Sequence, residues 1–303
     1  MTDSKSRSSL VALTGATGFV GGVIARYLLA QGYRLRLLVR APNRVPLGLN
    51  AQVVCGSLAD PDALETLVHG VDAVVHCAGL TSAARLADFA PVNAAGTQAL
   101  ARCTQAAGAP PFLLISSLAA REPQVSAYAH SKRQAETLLA AMSGLQWAAF
   151  RPPAVYGAGA PEIVSMLRWM NRGLAFCPGS PHARFSVVHP EDIARAVEVW
   201  LTDPGVEGIF DIDDQRDEGY SWLEFAGVAE AVLEKSEAED LRQCHIEGPT
   251  SMGLEHLLAS QDQDAAVTHE LKVLMVHGIG RHTPGYSGRL VENLMPALGL
   301  TVK

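Results

Sequence analysis

The chain has 303 residues, of which 48% are hydrophobic and 18% charged, with a formal net charge of −7; such a composition belongs to a folded globular protein and excludes wholesale disorder. The acidic balance argues against a nucleic-acid partner, and no apolar run reaches the ~20 residues of a membrane span. Cys55, Cys77, Cys103, Cys177 and Cys244 form no C-x-x-C pair and no ligand-spaced cluster with histidine, so free thiols in a reducing, cytoplasmic setting are expected and a metal site is not.

Lys5 and Arg7 precede an apolar run from Leu10 to Ala25 that superficially resembles a signal peptide. The run is broken by Gly15, Gly18, Gly21 and Gly22, and it reads better as a short buried strand (Leu10–Leu13), a glycine turn and a helix. Val20, Val23, Ile24, Tyr27 and Leu28 make the helix face, and Gly32 is placed to end it. Further strands are expected at Leu35–Val39, Val53–Cys55, Ala73–Cys77 and Phe112–Ser116. Asp60-Pro61 is a helix start, an acid cap followed by proline at the first position, and another helix is expected over Asn93–Ala107. Alternating apolar strands and amphipathic helices predict an α/β fold, a Rossmann-type doubly wound parallel sheet. After Val232 the chain turns acidic and polar, and an apolar run returns only at Val273–Val276. The expected organisation is a 9–232 domain carrying part of a substrate lobe, an atypical polar segment at 233–270, and a strand–helix tail at 271–303. The boundary falls between Lys235 and Thr268.

Thr14-Gly15-Ala16-Thr17-Gly18-Phe19-Val20-Gly21 is a T-G-x-x-G-x-x-G turn between a strand and a helix. In that context Gly15 makes the tight turn, Gly18 admits a pyrophosphate and Gly21 lets helix and sheet pack closely, while the helix N-terminus holds the anion. Adenosine specificity is read about twenty residues later. Arg40 stands there, followed by Asn43 and Arg44. A guanidinium suits a 2′-phosphate, which favours NADP over NAD, with a solvated arginine beside NAD as the alternative.

Tyr128 and Lys132 are four residues apart and share a helix face. A cationic lysine beside a tyrosine stabilises the phenolate, which equips the phenol to move a proton on a hydroxyl or carbonyl. Ser117, eleven residues earlier at the end of a strand, is placed to hold the substrate oxygen, with Ser116 its competitor.

These motifs in this order resemble the short-chain dehydrogenase/reductase superfamily. Four further segments resemble its extended branch, the NAD-dependent epimerase/dehydratase family: Val74-Val75-His76-Cys77-Ala78-Gly79, Val92-Asn93-Ala94-Ala95-Gly96-Thr97, Arg151-Pro152-Pro153-Ala154-Val155-Tyr156-Gly157 and Val188-His189-Pro190-Glu191-Asp192-Ile193-Ala194. The likeness covers about residues 9–232. It implies Tyr128 as acid/base, Lys132 on the ribose and Ser117 orienting substrate. The cofactor would be lined by Gly15, Thr17, Gly18, Phe19, Val20, Gly21, Arg40, Ser57, Leu58, Cys77, Ala78, Gly79, Asn93, Pro152 and Val155, with Tyr128 and Lys132. Ser57 stands where the family usually has an aspartate toward adenine. The short Arg121-Glu122-Pro123 connection departs from nucleotide-sugar epimerases. His130, His189 and Asp192 are read as structural, and Tyr156 as packing near the cofactor.

The segment from Leu271, with His277-Gly278-Ile279-Gly280, resembles the opening strand and oxyanion loop of an α/β-hydrolase, although no G-x-S-x-G nucleophile elbow occurs. The blander alternative is a strand supplied to the chain's own lobe. The expected function is hydride transfer at a secondary alcohol or ketone, as a reduction or as one step of an epimerisation or dehydration. A non-catalytic NAD(P)-binding sensor or scaffold is the alternative. The expected partners are a small-molecule substrate and a second copy in a homodimer.

Overall fold

The computed structural model describes residues 9–45, 49–157, 174–178, 180, 182–203, 205–225 and 272–276. Its centre is a seven-stranded sheet in which every pairing is parallel. In chain order the elements are β1 (Leu10–Thr14), α1 (Phe19–Ala30), β2 (Arg34–Val39), β3 (Gln52–Cys55), α2 (Pro61–Val68), β4 (Ala73–His76), α3 (Gly96–Ala106), β5 (Phe112–Ile115), α4 (Ala127–Ala140), β6 (Trp147–Arg151), β7 (Ala154–Val155), β8 (Leu174–Pro178), β9 (Arg184–Phe185), β10 (Val187–Val188), α5 (Pro190–Thr202), β11 (Gly208–Asp211), β12 (Tyr220–Ser221) and β13 (Lys272–Val276).

Across the sheet the order is β11-β6-β5-β4-β1-β2-β3. The chain winds outward from β1 to β3, returns to β4 and winds the other way, so the direction reverses between β1 and β4. Crevices at such a reversal, outside the carboxyl ends of the strands, are where open α/β sheets bind ligands. The central strands alternate between two cores, as a doubly covered sheet requires. Val11 and Leu13 face a core with Ile24 and Leu28 of α1 and Val197 and Trp200 of α5. Leu10 and Ala12 face the opposite core, with Leu64 and Leu67 of α2, Leu100 of α3 and Leu139 of α4.

The local signals act as expected. Gly32 takes φ +90° just past α1, and the Asp60 carboxylate accepts the Ala63 amide at the start of α2. The helix expected over Asn93–Ala107 is divided. Ala90–Ala95 forms a π-helical turn with Pro91 at its start, and regular α-helix begins only at Gly96. Such a turn inserts a residue into the helical register and is frequent at functional sites. Here it carries the buried Asn93.

The run at Val273–Val276 is a strand, Lys272–Val276, paired in parallel with Leu174–Pro178. The boundary at 233–270 and most of the tail beyond Val276 lie outside the described residues.

Candidate active site

The strands of the seven-stranded sheet point their carboxyl ends at one edge, and Gly15, Arg40, Cys77 and Ser117 lie just past those ends. Gly15, after β1, has φ +80°, and a Cβ there would sit 2.7 Å from the Ala78 nitrogen and the Cys77 carbonyl carbon. The turn after β1 therefore lies against the turn after β4 only because residue 15 has no side chain. At Gly21 a Cβ would fall 2.2 Å from the Gly15 oxygen, so helix and turn need glycine there too. Gly18 is the N-cap of α1 and brings no side-chain bond to the first-turn amides, and no acid occupies that turn. Together these features could hold an anionic dinucleotide: close backbone and the positive, N–H-bearing end of a twelve-residue helix.

At the adenosine end, Val39 and Cys55 are register partners, which places Arg40 beside Cys55-Gly56-Ser57. Arg40 and Cys55 are exposed. The Ser57 hydroxyl accepts the Ala59 amide at 3.2 Å. Leu58 turns toward α3, where a Cβ on Gly96 would meet it at 2.8 Å.

The opposite end is dense with polar contacts. Ser126 caps α4 by accepting the Ala129 amide, which sets Tyr128 in the first turn and Lys132 one turn on. Ser117 accepts the Ala119 amide, which leaves its hydroxyl proton available to an oxygen placed beside Tyr128. Ser116, the competitor, is buried and donates to Glu136 Oε1 at 2.5 Å. Lys132 is 6% exposed and donates from Nζ to the Ile115 carbonyl at 2.9 Å, tying α4 to the strand end that precedes Ser117.

Asn93 Oδ1 accepts the Leu80 amide, and its Nδ2 donates to the Leu80 carbonyl and the Ser131 hydroxyl. A Cβ on Gly79 would stand 3.0 Å from Asn93 Oδ1 and 3.5 Å from Lys132 Nζ. The turn after β4, the π-helical turn and α4 thus meet around one small residue. Further out, the Leu118 amide donates to the Pro152 carbonyl, Val155 pairs with Val188, and Phe19 approaches Gly157, whose added Cβ would lie 3.5 Å from Phe19 Cζ. Tyr156 is buried with its ring 5.4 Å from His189, and His189 caps α5 through Nδ1.

The electrostatics differ from the sequence expectation in one respect. Burial raises the Tyr128 phenol above its ordinary range, the neighbouring Ser117 hydroxyl opposes that rise, and Lys132 is not among the groups that shift it. Burial in turn lowers the Lys132 ammonium, with Cys77 and Glu136 opposing. Tyr128 therefore keeps its proton at neutral pH, a state suited to an acid.

Two features were not foreseen. Glu136, one turn beyond Lys132, is 2% exposed and receives Arg151 through Nε at 2.9 Å and Nη2 at 2.5 Å. This two-point pair fastens α4 to β6, and Arg151 Nη1 reaches Asp211 of β11 at 4.0 Å. The second is His76, fully buried at the end of β4 between Thr14 and Thr97. A Tyr-x-x-x-Lys-x-x-x-Glu spacing could have pointed to Glu136, and His76 could have been noticed as the one titratable residue in an apolar strand.

The chain as a whole is similar to known proteins. Residues 11–212 match the sequence profile of the NAD dependent epimerase/dehydratase family. The chain is 39% identical over 226 residues to a ceramide reductase of Caulobacter vibrioides, covering 74% of this chain and 70% of that protein. It is 34% identical over 116 residues to a 3β-hydroxysteroid dehydrogenase/Δ5→4-isomerase of Mycobacterium tuberculosis, of which it spans 31%. Among solved structures, WbmH of Bordetella bronchiseptica in complex with NAD+ superposes with a TM-score of 0.64 at 23% identity, covering 77% of this chain and 84% of that one. The resemblance of the C-terminal tail to an α/β-hydrolase is not borne out: the family match ends at residue 212, and Lys272–Val276 pairs with a strand of the same chain. Among the described residues no helix is long and apolar enough to cross a membrane, and no group of side chains could hold a metal ion. The chain belongs to the NAD-dependent epimerase/dehydratase family, the extended branch of the short-chain dehydrogenase/reductase enzymes.

Proposed function

We propose that this protein is a reductase or dehydrogenase acting at one carbonyl or secondary alcohol of a large apolar molecule, with Tyr128 as its acid/base and NADP preferred over NAD. The observation that carries the proposal is the cluster of Ser117, Tyr128, Lys132 and Asn93 at the carboxyl edge, within one turn of the glycine cradle.

In the reductive direction Ser117 holds the carbonyl oxygen, and Tyr128 gives that oxygen its proton as the carbonyl carbon becomes a carbinol. Bound in the glycine-lined crevice, the nicotinamide would supply the hydride. Lys132, its ammonium fixed by the Ile115 carbonyl, is placed to hold the nicotinamide ribose. Proton transfer of this kind contributes on the order of 10²–10⁴ in rate. Arg40 supports the cofactor preference, since an exposed guanidinium at the end of β2 suits a 2′-phosphate.

The substrate class rests on the relatives, whose names specify a ceramide and a hydroxysteroid. Side chains beside Tyr128 agree with an apolar substrate. Phe89 lies edge-on to the Tyr128 ring at 6.0 Å. Leu86 and Val125, each three residues before one of those rings, are 46% and 49% exposed. The free thiols Cys55, Cys77 and Cys103 support a reducing, cytoplasmic setting.

The test is oxidation of NADPH, followed at 340 nm, with a panel of long-chain aliphatic and steroid ketones. Wild type is expected to turn over at least one of them, and Tyr128→Phe to bind NADPH with unchanged affinity but lose turnover by about 10²–10⁴. Full turnover in Tyr128→Phe would remove the tyrosine from the chemistry. Tight NADPH binding with no oxidation by wild type would favour a cofactor-binding sensor.

A further inference from the structure

His76 is the buried titratable group that the proposed chemistry leaves unused. Its contacts lead, bond by bond, to the tyrosine. The Ala78 amide donates to Thr14 Oγ1 at 3.1 Å, and Thr14 Oγ1 lies 2.6 Å from His76 Nδ1. His76 Nε2 lies 3.0 Å from Thr97 Oγ1, which donates to the Asn93 carbonyl at 2.6 Å. From the same residue, Asn93 Nδ2 donates to Ser131 Oγ at 2.9 Å, and Ser131 donates to the Tyr128 carbonyl at 2.7 Å.

The ends of this chain fix its direction. An amide nitrogen can only donate and a carbonyl oxygen can only accept. Thr97 spends its one hydroxyl proton on the Asn93 carbonyl, so His76 Nε2 must be the donor to Thr97. With Nε2 as the donor, a neutral ring leaves Nδ1 as an acceptor, and Thr14 Oγ1, which receives the Ala78 amide, gives its own proton to Nδ1. Burial keeps the ring neutral by pushing its pKa down to about 3, with the nearby Lys132 charge adding to the effect. One protonation state and one tautomer therefore satisfy every partner.

We propose that His76 is a positioning residue: a neutral Nε2–H imidazole that aligns a one-way run of hydrogen bonds from the Ala78 amide to the Asn93 carbonyl, from where the Asn93 side chain continues through Ser131 to the Tyr128 carbonyl, and so registers the cofactor-lining turn against the catalytic tyrosine. The chain joins the ends of β1 and β4, the π-helical turn and the first turn of α4. Those segments approach the nicotinamide end of the crevice from different sides, and no single element could set their mutual distance. The proposal rests on the reading of Tyr128 as acid/base, but its first test does not require turnover.

In histidine-15N-labelled protein, His76 is expected to show the Nε2–H tautomer and no titration from pH 5 to pH 8. An Nδ1–H ring, or one that titrates in that interval, overturns the proposal whether or not the protein is an enzyme.

The second test is a double-mutant cycle of Thr97→Val and Ser131→Ala, which cut the chain on either side of Asn93 and avoid truncating the histidine. The readouts are turnover at saturating NADPH with an accepted ketone, and the pH midpoint of Tyr128 in tyrosine-13C-labelled protein. Each single variant is expected to lose about tenfold or more in kcat, the scale of a small misplacement of a catalytic group, with little change in NADPH affinity and a displaced Tyr128 midpoint. The double variant is expected to lose no more than the worse single one, because a chain broken once is already broken. Additive losses, or folded variants with unchanged kcat and Tyr128 midpoint, would leave His76 as a core residue only.

Discussion

The two ends of the crevice are built differently. Around Tyr128, polar side chains are buried and partnered: His76, Asn93, Thr97, Ser131 and Lys132 all lie in the interior, each with a hydrogen-bond partner. Around Arg40 the side chains are exposed or half-exposed, and the Ser57 hydroxyl reaches only two residues along the chain. Buried polar groups are costly unless fully paired, and when paired they hold one geometry. The Tyr128 end, the proposed nicotinamide end, is thus fixed by the fold, as the proposed chemistry requires. The adenosine end is set by a few surface side chains that can change without disturbing the core.

This contrast can be broken most forcefully at Glu136. Removing one partner of a buried ion pair leaves a charge without compensation, which costs about 3–5 kcal/mol. Glu136→Ala should lose that much in urea unfolding, because Arg151 loses its two-point contact and Ser116 its acceptor. A loss below about 1 kcal/mol, the range of exposed pairs, would mean that the nicotinamide end is no more firmly built than the other.

At the adenosine end the same measurement should show almost nothing, and the effect should appear in cofactor choice. A charge-assisted hydrogen bond is worth about 1.5–3 kcal/mol. Arg40→Ser should therefore cut the preference for NADPH over NADH by roughly ten- to a hundredfold without altering unfolding. An unchanged ratio of the two dissociation constants would take the arginine out of cofactor selection.

A smaller effect separates the ends by pH. The folded pKa of His76 is lowered to about 3 from an ordinary value near 6.5. Between those values the unfolded chain binds a proton that the folded protein does not. The stability this provides is complete above about pH 6.5 and declines as pH falls toward 3, with a limiting slope of about 1.4 kcal/mol per pH unit. His76→Phe should remove part of the slope between pH 5 and 6.5, while Arg40→Ser should leave it intact. Identical slopes in wild type and His76→Phe would show that the imidazole titrates freely in the fold.

Much of this architecture was legible in the sequence because its signals are local. The glycine turn, the Asp60-Pro61 helix start, Gly32 after α1 and the apolar runs of β1, β2, β4 and β5 each depend on a few adjacent residues, and the expected strands formed within a residue of expectation, whereas the helix expected from Asn93 is regular α-helix only from Gly96. Motif spacing was enough to bring Ser117, Tyr128, Lys132 and Asn93 to one edge. The choice between Ser116 and Ser117 was not legible, because adjacent residues on a strand face opposite sides and only the position of Glu136 reveals which hydroxyl is already engaged. The π-helical turn, the Glu136–Arg151 pair and the His76 chain were hidden for the same reason: each joins elements far apart in sequence. The expectation that Lys132 would lower the tyrosine pKa treated the two as a free pair. In the folded protein Lys132 is bound to a carbonyl, and burial of the phenol dominates.

The most direct measurement is transfer of deuterium from stereospecifically 4-deuterated NADPH to an accepted ketone, read as product mass. A product one mass unit heavier, labelled at the carbinol carbon by wild type and nearly absent with Tyr128→Phe, is the predicted result. A product left unlabelled by both C4 epimers of the cofactor, or labelled product formed equally fast without the tyrosine hydroxyl, would contradict it.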